Sequence, residues 1–175
     1  MLLIKMSFVR IKKIKGKEYG YIVENTWKGK GSRQKVKAYL GKVVRLQRIK
    51  EENFFDYFRV EQREDYLKNI SKDALVISII KFELINHGFV EEKGLMRNGN
   101  ISVDLSQLDV RDGNKRVALA MNDGFLADIT LRRLIEFQEK GSQAELSLKL
   151  AKAFVEAGIK VNEELFVAVY EKIVN

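Results

Sequence analysis

Cysteine and proline are absent from this sequence, and histidine occurs once, at position 87. Without cysteine there are no disulfides and no thiolate metal sites. A lone histidine is a poor basis for a catalytic dyad. His87 precedes Gly88 at an expected helix end, where a positive charge complements the helix dipole. Missing proline weighs against a thermophile, which the abundant lysine, glutamate, arginine and isoleucine otherwise suggest. Long apolar runs are missing too. The longest, residues 74–80, is interrupted by Ser78 and ended by Lys81, far short of the roughly 20 residues that a spanning helix needs. Residues 1–6 are too short and wrongly flanked for a signal peptide, and Met6 is a second candidate start. The expected location is the cytoplasm.

Acidic residues are scarce in one place. The first fifty residues hold fifteen lysines and arginines but only two acids, Glu18 and Glu24, a net charge of +13. The other 125 residues hold 17 basic and 22 acidic side chains, a net of −5, which together give the whole chain's +8. So concentrated an excess exceeds what solubility needs and marks a polyanion partner. The composition is otherwise globular, with 46% hydrophobic and 10% aromatic residues, enough to bury a core. A length of 175 residues suits one domain, or a small N-terminal module joined to a larger one.

The basic segment alternates in polarity. Residues 6–14, 18–27 and 33–40 read as three strands, separated by the turn Lys15-Gly16-Lys17 and by a glycine-lysine tip at 28–32. Short connections between such runs predict an antiparallel meander. Period-two geometry places Val9, Ile11, Ile22, Val36, Ala38 and Leu40 on one face, a small core. It places Phe8, Arg10 and Lys12, then Tyr19, Tyr21 and Trp27, then Arg33, Lys35, Lys37 and Tyr39 on the other. That second face interleaves cations with rings. Lysine and arginine displace condensed counterions from phosphates, and exposed rings stack on unpaired bases. This combination suits single-stranded or irregular RNA better than a duplex groove. The expected nucleic-acid-binding residues are Arg10, Lys12, Lys13, Lys15, Tyr19, Tyr21, Trp27, Lys28, Lys30, Arg33, Lys35 and Lys37. The competing reading packs the rings beneath the following helix and leaves the lysines as a solvated surface.

Phe8-Val9-Arg10 with Lys12, Tyr19 and Tyr21 with Val23-Glu24, Arg33-Gln34-Lys35-Val36 and Tyr39-Leu40-Gly41 follow one another in a recognisable order. Over residues 8–44 this resembles the N-terminal basic region of DDE-type transposases. In those proteins the region precedes the catalytic domain, so the resemblance implies a nucleic-acid-contacting module. The 175 residues leave no room for an RNase H-like catalytic domain beside it, and no strand-borne acidic triad with that spacing is present. The resemblance therefore points to binding and away from transposition.

Residues 42–69 read as mostly helix. Ser71 or Asp73 caps a helix to about Asn86. Short strands follow near 89–96, 100–105 and 115–121, with turns at Asn98-Gly99 and Asp112-Gly113. Asp128 opens a helix through Glu139, the Ser142/Glu145 capping box opens another that stops at Gly158, and Asn162 caps a last one to Val174. That last helix is apolar over most of its circumference and needs partners on more than one side. They lie in the same chain, or in a second copy related by a two-fold axis. Asp104, Asp109, Asp112, Asp123 and Asp128 suggest a two-metal nuclease, although turns and a helix cap explain each of them locally. Gly29-Lys30-Gly31-Ser32 lacks the order of a phosphate-binding P-loop.

The sequence thus predicts an α+β protein. Residues 1–45 form a basic three-stranded module, and residues 46–175 form a mainly helical body with a small β insertion. The expected function is non-enzymatic nucleic-acid binding with no cofactor. Structured RNA is favoured, as in a ribosome-associated, ribosome-regulating or particle-bridging factor. A DNA-binding protein sharing a transposase module is the alternative, and a metal-dependent nuclease the third reading.

Overall fold

The computed structural model describes residues 6–28 and 31–175. Three strands open it: β1 (Met6–Ile14), β2 (Lys17–Lys28) and β3 (Gly31–Arg45). They form the expected antiparallel meander. Lys15 and Gly16 join β1 to β2 with φ of 48° and 78°, between the paired Ile14 and Lys17. Two successive left-handed residues make the hairpin turn whose twist matches that of its strands. Gly29 and Lys30, at the expected second tip, lie outside the described residues.

The chain continues through α1 (Phe54–Tyr57), α2 (Arg63–Asn69) and α3 (Lys72–Asn86). A run of short strands follows: β4 (Val90–Glu92), β5 (Leu95–Asn98), β6 (Ile101–Asp104), β7 (Asp109–Asp112), β8 (Lys115–Met121) and β9 (Gly124–Leu126). Three helices close the chain: α4 (Asp128–Ile135), α5 (Gln143–Glu156) and α6 (Glu163–Val174). The architecture is α+β. The nine strands make one sheet in the order β1-β2-β3-β8-β7-β6-β5-β4, with β9 pairing β8. The link between the first three strands and the rest is parallel: Lys42 stands opposite Val117 and Arg45 opposite Ala120.

Strand β8 is buried on both faces. Val117, Leu119 and Met121 join a large core with Leu75, Ile79 and Ile80 of α3, while Ala118 joins a small core with Ile22, Leu40 and Ala127. Val9, Ala38, Phe125 and Ile129 pack around the small core. Each fully buried leucine or isoleucine contributes about 1.5–3 kcal/mol through loss of apolar surface to water. The base of the meander is thereby fixed to β9 and α4.

The helix starts follow side-chain capping. Ser71 Oγ accepts from the Ala74 N–H at 3.2 Å, and Asn162 Oδ1 accepts from the Leu165 N–H at 2.8 Å. Ser142 and Glu145 form the reciprocal box. Asp128 does not cap α4. Ala127 holds the cap position and donates its N–H to Thr130 Oγ1 at 2.9 Å, which frees Asp128 to pair with Arg116. The helix then ends at Ile135 rather than Glu139, and Lys72 Nζ donates to the Ile135 carbonyl at 3.3 Å. In α6, Leu165, Ala168 and Val169 are buried, Phe166 meets Phe154, and Tyr170 donates to the Gln143 carbonyl. Packing within the chain therefore occupies much of the apolar circumference of α6.

The expected helix over 42–69 is corrected. Residues 42–45 finish β3, and residues 46–53 are neither helix nor strand. Tertiary hydrogen bonds tie this connection to the body: Leu46 N–H donates to the Ala120 carbonyl, and the Ile49 and Lys50 N–H groups both donate to the Asn86 carbonyl. Arg48 reaches inward, where its Nη1 donates to the buried Glu83 Oε1 at 2.7 Å. Asn122 Nδ2 donates to the same oxygen at 2.8 Å, and His87 Nδ1 lies 2.9 Å from the Glu83 carbonyl. The expected strand at 89–96 is instead the β4–β5 hairpin, broken by Lys93 and Gly94 at positive φ.

Candidate nucleic-acid interface

Cross-strand partners share a face, so the register sorts the side chains of the meander. Lys12 pairs with Tyr19, Arg10 with Tyr21 and Phe8 with Val23. Tyr21 pairs with Tyr39, Val23 with Val36 and Tyr19 with Lys42. The first face therefore carries Phe8, Arg10, Lys12, Tyr19, Tyr21, Tyr39 and Lys42. Of its rings, Phe8 and Tyr39 are 37% and 47% exposed and Tyr19 and Tyr21 half-buried; Val36 is exposed and Val23, between it and Phe8, is buried, while Phe54 and Phe55 of α1 are buried in the body. The Tyr21 and Tyr39 ring centroids are 5.3 Å apart, and those of Tyr19 and Tyr39 are 6.5 Å apart. Lys12 Nζ sits 5.1 Å from the Tyr21 ring centroid, within cation–π range. Arg10 Nη1 donates to Gln34 Oε1 across β2. Desolvation, followed by the neighbouring Tyr21 and Tyr19, pushes the Tyr39 phenol above the ordinary tyrosine value.

Arg33, Lys35 and Lys37, expected beside the rings, do not join this face, although Tyr39 of the same strand does. The β2–β3 register shifts between Gly20 and Tyr21 and again between Ile22 and Val23, leaving Leu40 and Lys37 as the extra residues on β3. These are β-bulges, and each interrupts the simple alternation that the sequence suggests. Val36 consequently leaves the small core and lies among the rings. Lys35 stands opposite Glu24 and Arg33 opposite Thr26, both on the face of Ile22. Lys37 Nζ is 3.4 Å from Glu24 Oε2. Lys13 stands opposite Glu18 on the same face, and Lys15 lies at the hairpin turn. Trp27 and Lys28 end β2 opposite Ser32 and Gly31; their side chains, and the whole of Lys30, lie outside the described residues. Among the described side chains, the expected residues are thus divided between two faces and the first hairpin turn.

The parallel seam adds residues that sequence reasoning missed. Lys17, Tyr19, Tyr39 and Lys42 of the meander converge with Asp112, Lys115 and Arg116 of the body around a pocket of about 490 Å³. Arg116 Nε is 2.7 Å from Asp128 Oδ2. Further along β3, Arg45 holds Glu18 through two bonds, 2.8 and 3.0 Å, and keeps that carboxyl below its usual range. The clustering of Lys42 with Lys115 has no local sequence signal, because β3–β8 pairing creates it.

The aspartates have separate partners. Asp104 Oδ1 accepts from the Gln107 and Ser106 N–H groups and from the Ser106 hydroxyl, which hold it below the usual carboxylate range. Asp109 pairs with Arg111 and Asp128 with Arg116, Asp112 borders the pocket, and Asp123 is exposed in the β8–β9 turn. Among the described residues, no group of three or more His, Cys, Asp or Glu side chains is placed to hold a metal ion. No helix among them is long and apolar enough to cross a membrane. In comparisons with known proteins, no family model, curated sequence or solved structure matches the chain.

Proposed function

We propose that the chain is a non-enzymatic nucleic-acid-binding protein of the cytoplasm whose target is structured RNA, such as that of a ribosomal particle. One observation carries this reading. The N-terminal sheet turns an unroofed face outward on which Phe8, Tyr21 and Tyr39 alternate with Arg10, Lys12 and Lys42. Rings that end half-exposed on a sheet, without a helix over them, have their π-faces available for unpaired bases. The cations beside them neutralise phosphates. Arg33, Lys35 and Lys37 on the opposite face extend the positive field around the sheet without adding rings. The residues 1–45 segment acts as the recognition module and residues 46–175 as its support.

The test is a salt titration of binding to a structured ribosomal RNA fragment and to duplex DNA of equal length. The protein is expected to retain the RNA more tightly and to lose it steeply as salt rises. Replacing Arg10, Lys12 and Lys42 together by Ala should weaken binding and reduce the salt slope by about one for each phosphate no longer neutralised. Preferential retention of duplex DNA would support the transposase-module reading instead. No binding to either polyanion at low salt would end the proposal.

A further inference from the structure

The pocket at the seam of β3 and β8 differs from the open face beside it. Two elements of the meander and one hairpin of the body build it, so residues more than seventy positions apart in sequence, such as Lys42 and Lys115, share one wall. Its volume of about 490 Å³ lies in the range of small-ligand sites. One side is aromatic, the tilted Tyr19 and Tyr39 rings. The other is cationic, and its groups are not equivalent. Arg116 is held by Asp128, whereas among the described residues no ion pair engages Lys17, Lys42 or Lys115. These three ammonium groups have no carboxylate partner to displace when an anion arrives. Asp112 supplies an acceptor on the same wall.

A ring surface, three unpaired ammonium groups and one acceptor match the parts of a nucleotide: a planar base, a phosphate and the hydroxyl or amine donors between them. We infer that this pocket receives a single unpaired nucleotide of the bound RNA, its base against Tyr39 and Tyr19 and its phosphate against Lys42, Lys115 and Lys17. The inference rests on the RNA-binding reading above and names the element of RNA that is recognised. A fully paired helix keeps its bases stacked inside and offers the pocket no ring. A bulge, loop or free end offers one. The open face then carries the adjoining strand, and the pocket fixes its register.

The experiment compares three labelled RNAs by fluorescence anisotropy at one salt concentration: a decauridylate, the same backbone with every base removed, and a fully paired hairpin of equal phosphate count. The full-length protein is used, with Tyr39→Ala, Tyr39→Phe and Lys115→Ala. The decauridylate is expected to bind about ten-fold more tightly than the baseless strand and than the paired hairpin, in line with the 1–3 kcal/mol of one stacked base. Tyr39→Ala should shrink that difference by weakening decauridylate alone, Phe8 and Tyr21 of the open face keeping the remainder, and Tyr39→Phe should restore it, since the ring and not the hydroxyl stacks. Lys115→Ala should weaken both strands by the same factor. Tyr39 is half-exposed and Lys115 exposed, so neither change opens the core. If the wild type binds both strands equally, or Tyr39→Ala leaves the ratio intact, the pocket assignment fails while RNA binding stands. If no RNA is bound at low salt, the reading beneath it fails.

Discussion

Gly41 of β3 approaches Arg116 of β8 so closely that a Cβ on the glycine would lie 2.4 Å from the arginine carbonyl oxygen. Its φ is +107°, a conformation that residues with a Cβ rarely adopt. Gly41→Ala therefore combines backbone strain with overlap at the seam. It should destabilise by at least the roughly 1–3 kcal/mol typical of overpacking and speed amide exchange at residues 42–45. Gly20→Ala is the control: its Cβ would meet Leu40 at 3.4 Å, an ordinary contact. Equal urea midpoints for Gly41→Ala and the wild type would show that the seam has slack that the geometry denies.

Glu83 is buried and binds Arg48 and Asn122 through one oxygen. Glu83→Ala leaves the Arg48 guanidinium only the exposed Glu51 carboxylate, 3.5 Å from its Nε, so the loss should approach the roughly 3–5 kcal/mol of a buried pair broken by removing one partner. Replacing Arg48 by Met and Glu83 by Leu together should cost less than the sum of the two single changes. A double-mutant cycle in urea measures this, and additive effects would mean that the two side chains do not act as a pair.

The raised Tyr39 phenol makes stability depend on alkaline pH. The unfolded chain releases this proton near the ordinary value of 10.0, while the folded chain still holds it. Above that pH the unfolded state binds fewer protons, so stability falls as pH rises toward and through the folded value. Tyr39→Phe should flatten this part of the profile. A denaturant midpoint that declines with pH equally in both proteins would assign the effect elsewhere.

Ser142 Oγ accepts from the Glu145 N–H, and Glu145 Oε2 accepts from the Ser142 N–H at 2.7 Å. Ser142→Ala should cost about 1 kcal/mol, as removal of other N-caps does. Glu145 is held below the usual range by the Ser142 N–H and hydroxyl. Its contribution is thus present above the unfolded glutamate value and lost as pH falls through the folded one. Thermal unfolding at neutral and acidic pH, with Glu145→Gln for comparison, checks both statements.

What the sequence made legible was local. Ser71, Ser142 and Asn162 mark helix starts because a capping side chain bonds within three residues of itself. The Lys15-Gly16 turn fixes the β1–β2 register for the same reason. The bulges at Lys37 and Leu40 left no such mark: Val36 and Lys35 alternate in sequence as an unbroken strand would, and only the pairing with β2 shows the extra residues. Residues 46–53 read as helical from composition, but bonds to Ala120 and Asn86, distant in sequence, hold them out of a helix. Lys115 could not be placed beside Lys42 before the parallel pairing was known. The basic character of the segment was legible, and its division into two faces and a seam was not.

The parallel seam also sets an order of assembly. Both meander hairpins connect neighbours in sequence and close quickly, whereas β3 must wait for residues 117–120 to be made. During synthesis the cationic ribbon therefore emerges first and spends that interval undocked, beside the polyanionic ribosome that is making it. A chain stalled before β8 would carry this ribbon without the neighbour that anchors it.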